Sequence, residues 1–142
     1  MTKSVDDDVA CMREVMRRAC WDLYYHEREL TLAHKKLGAV KAFIARCGIE
    51  HKFTDHEAMS LYDSFSDEDK EPTDADQFAR YLVGDALNDV RRHEDGIQEG
   101  HRNIATAKKM MARGKYTEFT VDEVMEEVKK RESDRVRWED AQ

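Results

Sequence analysis

The chain has 142 residues, 39% of them charged and 40% hydrophobic, with six glycines, one proline and a net charge of −7. This length suits one domain with a hydrophobic core, and the scarcity of proline and glycine favours helices over the strands of β-rich folds. No apolar run approaches the roughly 20 residues that span a bilayer, and the acidic start does not resemble a secretion signal. Three cysteines without a CxxC pair indicate reduced thiols, so we expect a cytoplasmic protein without a membrane segment.

A first long helix is predicted over about residues 6–47. Its apolar residues recur alternately three and four positions apart from Val9 to Cys47, and His26 is the one polar residue in that series. A repeat of this length is typical of helices that pack as a coiled coil. The acidic residues at the start suit the positive end of the helix dipole, and Gly48 suits the end of the helix.

A second long helix is predicted over about residues 74–113, where the same spacing returns from Val83 to Met111. In both helices one row of the repeat is large and the other is mostly small, which allows two helices to approach closely. We therefore predict an all-α fold in a single helical domain, built on a long, coiled-coil-like antiparallel helical hairpin. In that register position 26 lies opposite residues 93–99.

Two shorter helices complete the predicted fold. Each begins with a capping box, Thr54–Glu57 for the first and Thr120–Glu123 for the second. Together with the connections between helices, the predicted segments are a short helix at about 55–65, an acidic loop at 66–76, a linker at 114–119 and a C-terminal helix at about 121–138.

Charge is distributed unevenly along the chain. Residues 1–48 carry a net charge of +2, residues 49–100 carry −10, and residues 101–142 carry +1. Such an acidic centre attracts basic surfaces and repels nucleic acid, although a merely solvated acidic face is the alternative. The acidic candidates for partner binding are Asp63, Asp67, Glu68, Asp69, Glu71, Asp74, Asp76, Asp85 and Asp89.

The C-terminal helix has a thin apolar stripe between dense mixed charges. A stripe of this kind anchors a helix weakly, so we expect either loose docking or contact with a partner. Its apolar residues Val124, Val128 and Trp138 complete the set of predicted partner-binding residues.

No catalytic or metal-binding pattern is present in the sequence. It has no Gly-x-Ser-x-Gly, no glycine-rich phosphate loop and no His-Glu-x-x-His, and no glutamate stands three residues before any of the six histidines. His26 and His93 are interpreted as polar residues that fix the register of the hairpin. We predict no catalytic residue, no metal ligand and no cofactor.

Two segments resemble the C-terminal, toxin-binding arm of bacterial type II antitoxins. Residues 95–104 contain Ile-Gln-Glu-Gly, and residues 114–125 contain Thr-Val-Asp-Glu-Val, which match the "I-x-E-G" turn and "T-x-D/E-E-V" helix of those arms. The resemblance implies that the helix over 120–128 binds a protein. The chain departs from that family at its start, where a long helix stands in place of a small DNA-binding module. In size, acidity and lack of motifs it is similar to small phage anti-CRISPR and anti-defence proteins.

The leading hypothesis is a non-enzymatic, protein-binding inhibitor that uses its acidic surface to occupy a basic site on a nucleic-acid-handling enzyme. The alternatives are an antitoxin-like toxin neutraliser and a coiled-coil structural or oligomerising adaptor, which includes a homodimer formed through the helical seam. Basic residues alternate with acidic ones and form no aromatic-basic stripe, so direct nucleic-acid binding is not expected.

Overall fold

The computed structural model describes residues 5–49, 53–68 and 70–140, without the side chains of residues 5, 6, 66–68 and 140. This part of the chain contains four helices and no strand: α1 (Val5–Arg46), α2 (Asp55–Glu68), α3 (Ala75–Gly114) and α4 (Val121–Asp140). The predicted all-α fold with a long helical hairpin is confirmed. In the described ranges, no helix is long and apolar enough to cross a membrane.

The helices begin where the capping residues predict. The hydroxyl oxygen of Thr54 accepts the backbone N–H of Glu57 at 3.1 Å, and that of Thr120 accepts the backbone N–H of Glu123 at 3.2 Å. At the start of α3, a carboxylate oxygen of Asp74 accepts the backbone N–H of Gln77 at 2.8 Å. Each bond satisfies one backbone donor that the first turn of a helix leaves without a partner.

The helix ends differ more from prediction. Gly48 has a φ of 73° just after α1, as expected for a glycine that ends a helix. Gly114, predicted to open the linker, is instead the last residue of α3, and Lys115 takes the left-handed conformation with a φ of 57°. The helix α2 runs to Glu68, three residues past the predicted 65, so the first residues of the predicted acidic loop are helical.

The chain forms two compact units: unit 1 (Met1–Glu27 with Asp95–Gln142) and unit 2 (Arg28–Glu94). Both α1 and α3 contribute to each unit. The single domain predicted over residues 1–142 therefore consists of two parts, each with its own hydrophobic core.

The core of unit 1 joins α1, α3 and α4. In it Leu23 lies against Gly100, where an added Cβ would stand 3.0 Å from the Cβ of Leu23, and the His26 ring lies against Gly96. The predicted opposition of position 26 and residues 93–99 is thus confirmed by the Gly96 contact. The buried members of this core are Met12, Met16, Ala19, Cys20, Leu23, Ile104, Ala107, Met111, Phe119, Val124 and Val128.

The core of unit 2 joins α1, α2 and α3 around Ile44, Phe53, Ala58, Ala79 and Val83. Here α2 crosses α3 at Gly84. A Cβ at that glycine would lie 2.5 Å from the backbone oxygen of Ala58 and 2.6 Å from the Cβ of Tyr62. Neither atom is the end of a flexible side chain, so this close approach of two helices requires glycine.

The crossing at Gly84 gives the first prediction. The substitution Gly84→Ala should destabilise the protein by about 1–3 kcal/mol, because the added methyl group forces α2 away from α3. The matched control is Gly38→Ala in α1, where an added Cβ meets nothing within 4 Å. That substitution should stabilise the protein by about 0.5–1 kcal/mol, since alanine favours helix over glycine. Thermal unfolding followed by circular dichroism measures both, and a Gly84→Ala variant as stable as Gly38→Ala would contradict the crossing.

Candidate functional site

A groove of about 440 Å³ lies between α2 and α3 on the surface of unit 2. Five of its residues recur on one face of α2, and four form a stripe on α3 at the spacing of one helix face. The lining residues are Asp55, His56, Met59, Ser60, Asp63, Leu87, Val90, Arg91 and Glu94.

The groove exists because of how the two helices meet. The crossing at Gly84 brings the backbones together, and the helices supply side chains from the turns that follow Gly84 on α3. The α2 face from Asp55 to Asp63 rises about 12 Å, and the α3 stripe from Leu87 to Glu94 rises about 10 Å, at 1.5 Å per residue. The groove is therefore about two helical turns long.

Apolar and acidic side chains line the groove together. Met59 and Leu87 are half-buried and Val90 is buried, so the groove offers apolar surface. Three carboxylates, Asp55, Asp63 and Glu94, share it with one guanidinium and the His56 ring. With histidine neutral, the lining carries a net charge of −2. An apolar surface with a few polar groups around it is the usual composition of a binding groove.

Two of these carboxylates have basic neighbours at the surface. Asp63 lies 3.6 Å from Arg91, with both side chains about half exposed, and Asp55 lies 3.2 Å from Lys41. Exposed ion pairs contribute about 0–1 kcal/mol each, because water competes with them and the side chains lose freedom. Such weak pairs leave the carboxylates able to exchange their present neighbours for a cation of a partner.

Most of the other predicted acidic residues that the structure describes either form ion pairs with basic side chains or cap a helix. Asp85 and Asp89 lie 3.6 Å and 2.9 Å from the ammonium group of Lys36, and the hydrogen bond with Asp89 is the main reason that the pKa of Lys36 is raised. Asp76 lies 3.0 Å from Arg80, and Asp74 caps α3.

Four of the predicted acidic residues belong either to the end of α2, which includes Asp67 and Glu68, or to the connection between α2 and α3. Glu71 is exposed in that connection. The side chains of Asp67 and Glu68, and the whole of Asp69, lie outside the described residues. Of the predicted acidic set, the groove contains only Asp63, and it adds Asp55 and Glu94.

Folding reduces the acidity that the sequence places at the centre of the chain. Residues 28–94, which form unit 2, contain 10 basic and 14 acidic side chains and so carry −4. The part from α1, residues 28–48, contributes +4 and offsets half of the −8 carried by residues 49–94. The net charge of unit 2 is therefore less negative than the acidic segment of residues 49–100 predicts.

The first half of α4 packs into the core of unit 1, and its second half is mostly exposed. Val124 and Val128 are 0% and 2% exposed in unit 1, so the predicted loose docking is wrong for this part of α4. As buried core residues they are not available to a partner in the folded protein, which corrects their place in the predicted site. Trp138 is 66% exposed and remains a candidate. From Lys129 to Glu139, all residues except Glu132 are exposed.

A second small surface lies on unit 1, where Arg17, Arg18, Trp21 and Asp22 line a cavity of about 330 Å³. Arg17 donates two hydrogen bonds to Glu14, at 2.8 Å and 2.6 Å. Hydrogen bonds from Arg17 and Arg18 lower the pKa of Glu14 to about 2. The Arg17 guanidinium is thus already bound to Glu14.

Among the described residues, no group of three or more His, Cys, Asp or Glu side chains is placed to hold a metal ion. His51, which the sequence places near His56, lies outside those residues. Comparison of the chain with family models, with curated proteins and with solved structures finds no match.

Of the nine residues that line the groove, only Asp63 belongs to the partner-binding residues predicted from the sequence. Asp55 lies within the predicted capping box Thr54–Glu57, and Leu87 lies outside the 3-4 repeat of α3. The available signal was Gly84, a glycine inside a predicted helix, which often marks close backbone approach. A glycine does not identify the segment that approaches it, so the meeting of α2 and α3 could not be predicted.

The difference between the buried first half and the exposed second half of α4 gives the second prediction. The substitution Val124→Asp should cost at least about 3 kcal/mol, because it buries a carboxylate without a partner in the core of unit 1. The same substitution at Val136, which is 40% exposed on the same helix, should change stability by about 0.5 kcal/mol or less. Chemical denaturation of both variants checks this. Equal stability of the two would show that the first half of α4 is not part of the core.

Proposed function

We propose that this protein is a non-enzymatic binding protein that docks a basic surface of another protein into the groove between α2 and α3. The observation that supports it most is the composition of that groove, in which Asp55, Asp63 and Glu94 share the lining with apolar side chains. An inhibitor that covers a basic site on a nucleic-acid-handling enzyme is the activity that fits this chemistry, since such sites carry lysine and arginine for phosphate binding.

Charge and apolar contact have separate roles in this proposal. The carboxylates raise the rate of encounter with a basic partner and disfavour acidic ones. The apolar surface of Met59, Leu87 and Val90 then supplies affinity that persists at higher salt, because burial of apolar area does not depend on ionic attraction. A plain solvated acidic face would offer the first property without the second.

A second candidate function, an adaptor or antitoxin-like neutraliser, is favoured by the exposed end of α4. Trp138 is the most exposed of the large hydrophobic side chains in the described residues, and tryptophan is enriched at the centres of protein interfaces. In this alternative α4 binds the partner, and the groove has no part in binding. The two candidates therefore make opposite statements about which variants lose the partner.

The third prediction tests the proposal by capture. Tagged wild-type protein and a double variant, Asp63→Asn with Glu94→Gln, are used to capture partners from a nuclease-treated bacterial lysate. We expect the wild type to retain a basic protein that the variant loses, with the affinity of the purified pair reduced about tenfold or more. The association rate should also fall with rising salt in the wild type and much less in the variant.

The matched control changes the same number of charges on unit 1. Glu99→Gln with Glu126→Gln removes two exposed carboxylates and should leave capture unchanged. Retention of the partner by the groove variant, together with its loss from Trp138→Ala, would contradict the proposal and favour the adaptor. Loss from both double variants would show that only overall charge matters.

A further inference from the structure

Resting on the proposed function, we infer that the partner fills the groove with a basic amphipathic helix. The inference commits to one kind of occupant: about two turns of helix with apolar residues on one face and lysine or arginine beside them. The backbone, the length and the charge of the groove each favour this occupant.

The backbone of the groove walls favours a helical occupant. The walls are faces of α2 and α3, whose interior N–H and C=O groups already bond within their own helices. Beyond the first turn of α2, such walls differ from the edge of a sheet, because they have no free backbone groups to offer an extended peptide. A segment buried there must satisfy its own backbone, and a helix does so.

The length of the groove matches about two turns of helix. The α2 and α3 faces rise about 12 Å and 10 Å, and seven residues of helix rise about 10 Å. An occupant of that length presents two apolar side chains at i and i+4 on one face. These would meet the apolar surface formed by Met59, Leu87 and Val90.

The charges of the groove lining favour a basic occupant. Asp63 on α2 and Glu94 on α3 provide carboxylates on both walls, and Asp55 adds a third at the start of α2. The groove also contains Arg91, 3.6 Å from Asp63, which occupies the place where a cation of the partner would bind. An incoming arginine must compete with Arg91 for Asp63, so removal of Arg91 should strengthen binding.

The test uses defined peptides. The probe is an alanine-rich helical 14-residue peptide with leucine at two positions four apart and arginine three residues outside each leucine. One control peptide replaces the arginines by glutamate, and the other replaces the leucines by serine. Binding to the full-length protein is measured by isothermal titration calorimetry. We expect the arginine–leucine peptide to bind and each control peptide to bind at least about tenfold more weakly.

Protein variants locate the peptide. Asp63→Asn with Glu94→Gln should weaken binding about tenfold, whereas Arg91→Gln should strengthen it severalfold. The control for the latter is Arg102→Gln, which removes an equal charge from an exposed arginine of unit 1 and should leave binding unchanged. Circular dichroism of each variant confirms that the helices remain folded.

Several results would overturn the inference. Equal binding of the arginine and glutamate peptides, equal effects of Arg91→Gln and Arg102→Gln, or no binding of any peptide would each do so. If the peptides fail while capture of the partner still depends on Asp63 and Glu94, the helical occupant is wrong and the proposed function stands. If capture is also independent of these two residues, the proposed function falls as well.

Discussion

The close approach of α2 to α3 at Gly84 is the constraint on which the candidate site depends. The groove lies beside this contact: its α2 residues, within 55–63, include sequence neighbours of both Ala58 and Tyr62, and its α3 residues, 87–94, follow Gly84. The added Cβ distances of 2.5 Å and 2.6 Å show that the meeting point tolerates no side chain. The same principle acts in unit 1, where Gly100 accepts Leu23 and Gly96 accepts His26. Small residues against large ones therefore set both the hairpin and the groove.

The neighbours of each charged residue in the folded protein differ from its neighbours in the sequence. A segment of α1 that is basic in sequence becomes the neighbour of the acidic segments in unit 2, so that Lys36 meets Asp85 and Asp89, and Lys41 meets Asp55. These pairs are partly exposed and contribute little individually to stability. Their larger consequence is that Lys36 and Lys41 offset part of the acidity of unit 2, including that of Asp55 in the groove.

Much of the fold was predictable because the spacing of apolar residues and the capping residues of a helix are local features of the sequence. The 3-4 repeat marked α1 and α3 to within one residue at each end, and Thr54 and Thr120 marked the starts of the short helices. The site was less predictable, since its two walls are far apart in sequence and no local pattern pairs them. The burial of Val124 and Val128 could not be predicted for a related reason. A thin apolar stripe does not show how firmly a helix packs, and here the packing depends on Phe119 and on buried residues of α1 and α3 that are distant in sequence.

The central claim, that the groove between α2 and α3 is the binding surface, is tested most directly by hydrogen–deuterium exchange of the protein alone and bound to its captured partner. Amide exchange reports local opening along the whole chain in one measurement. The account predicts added protection over residues 55–63 and 87–94, with the last turns of α4 unchanged. Protection confined to the end of α4 around Trp138, with residues 55–63 and 87–94 unaltered, would contradict it.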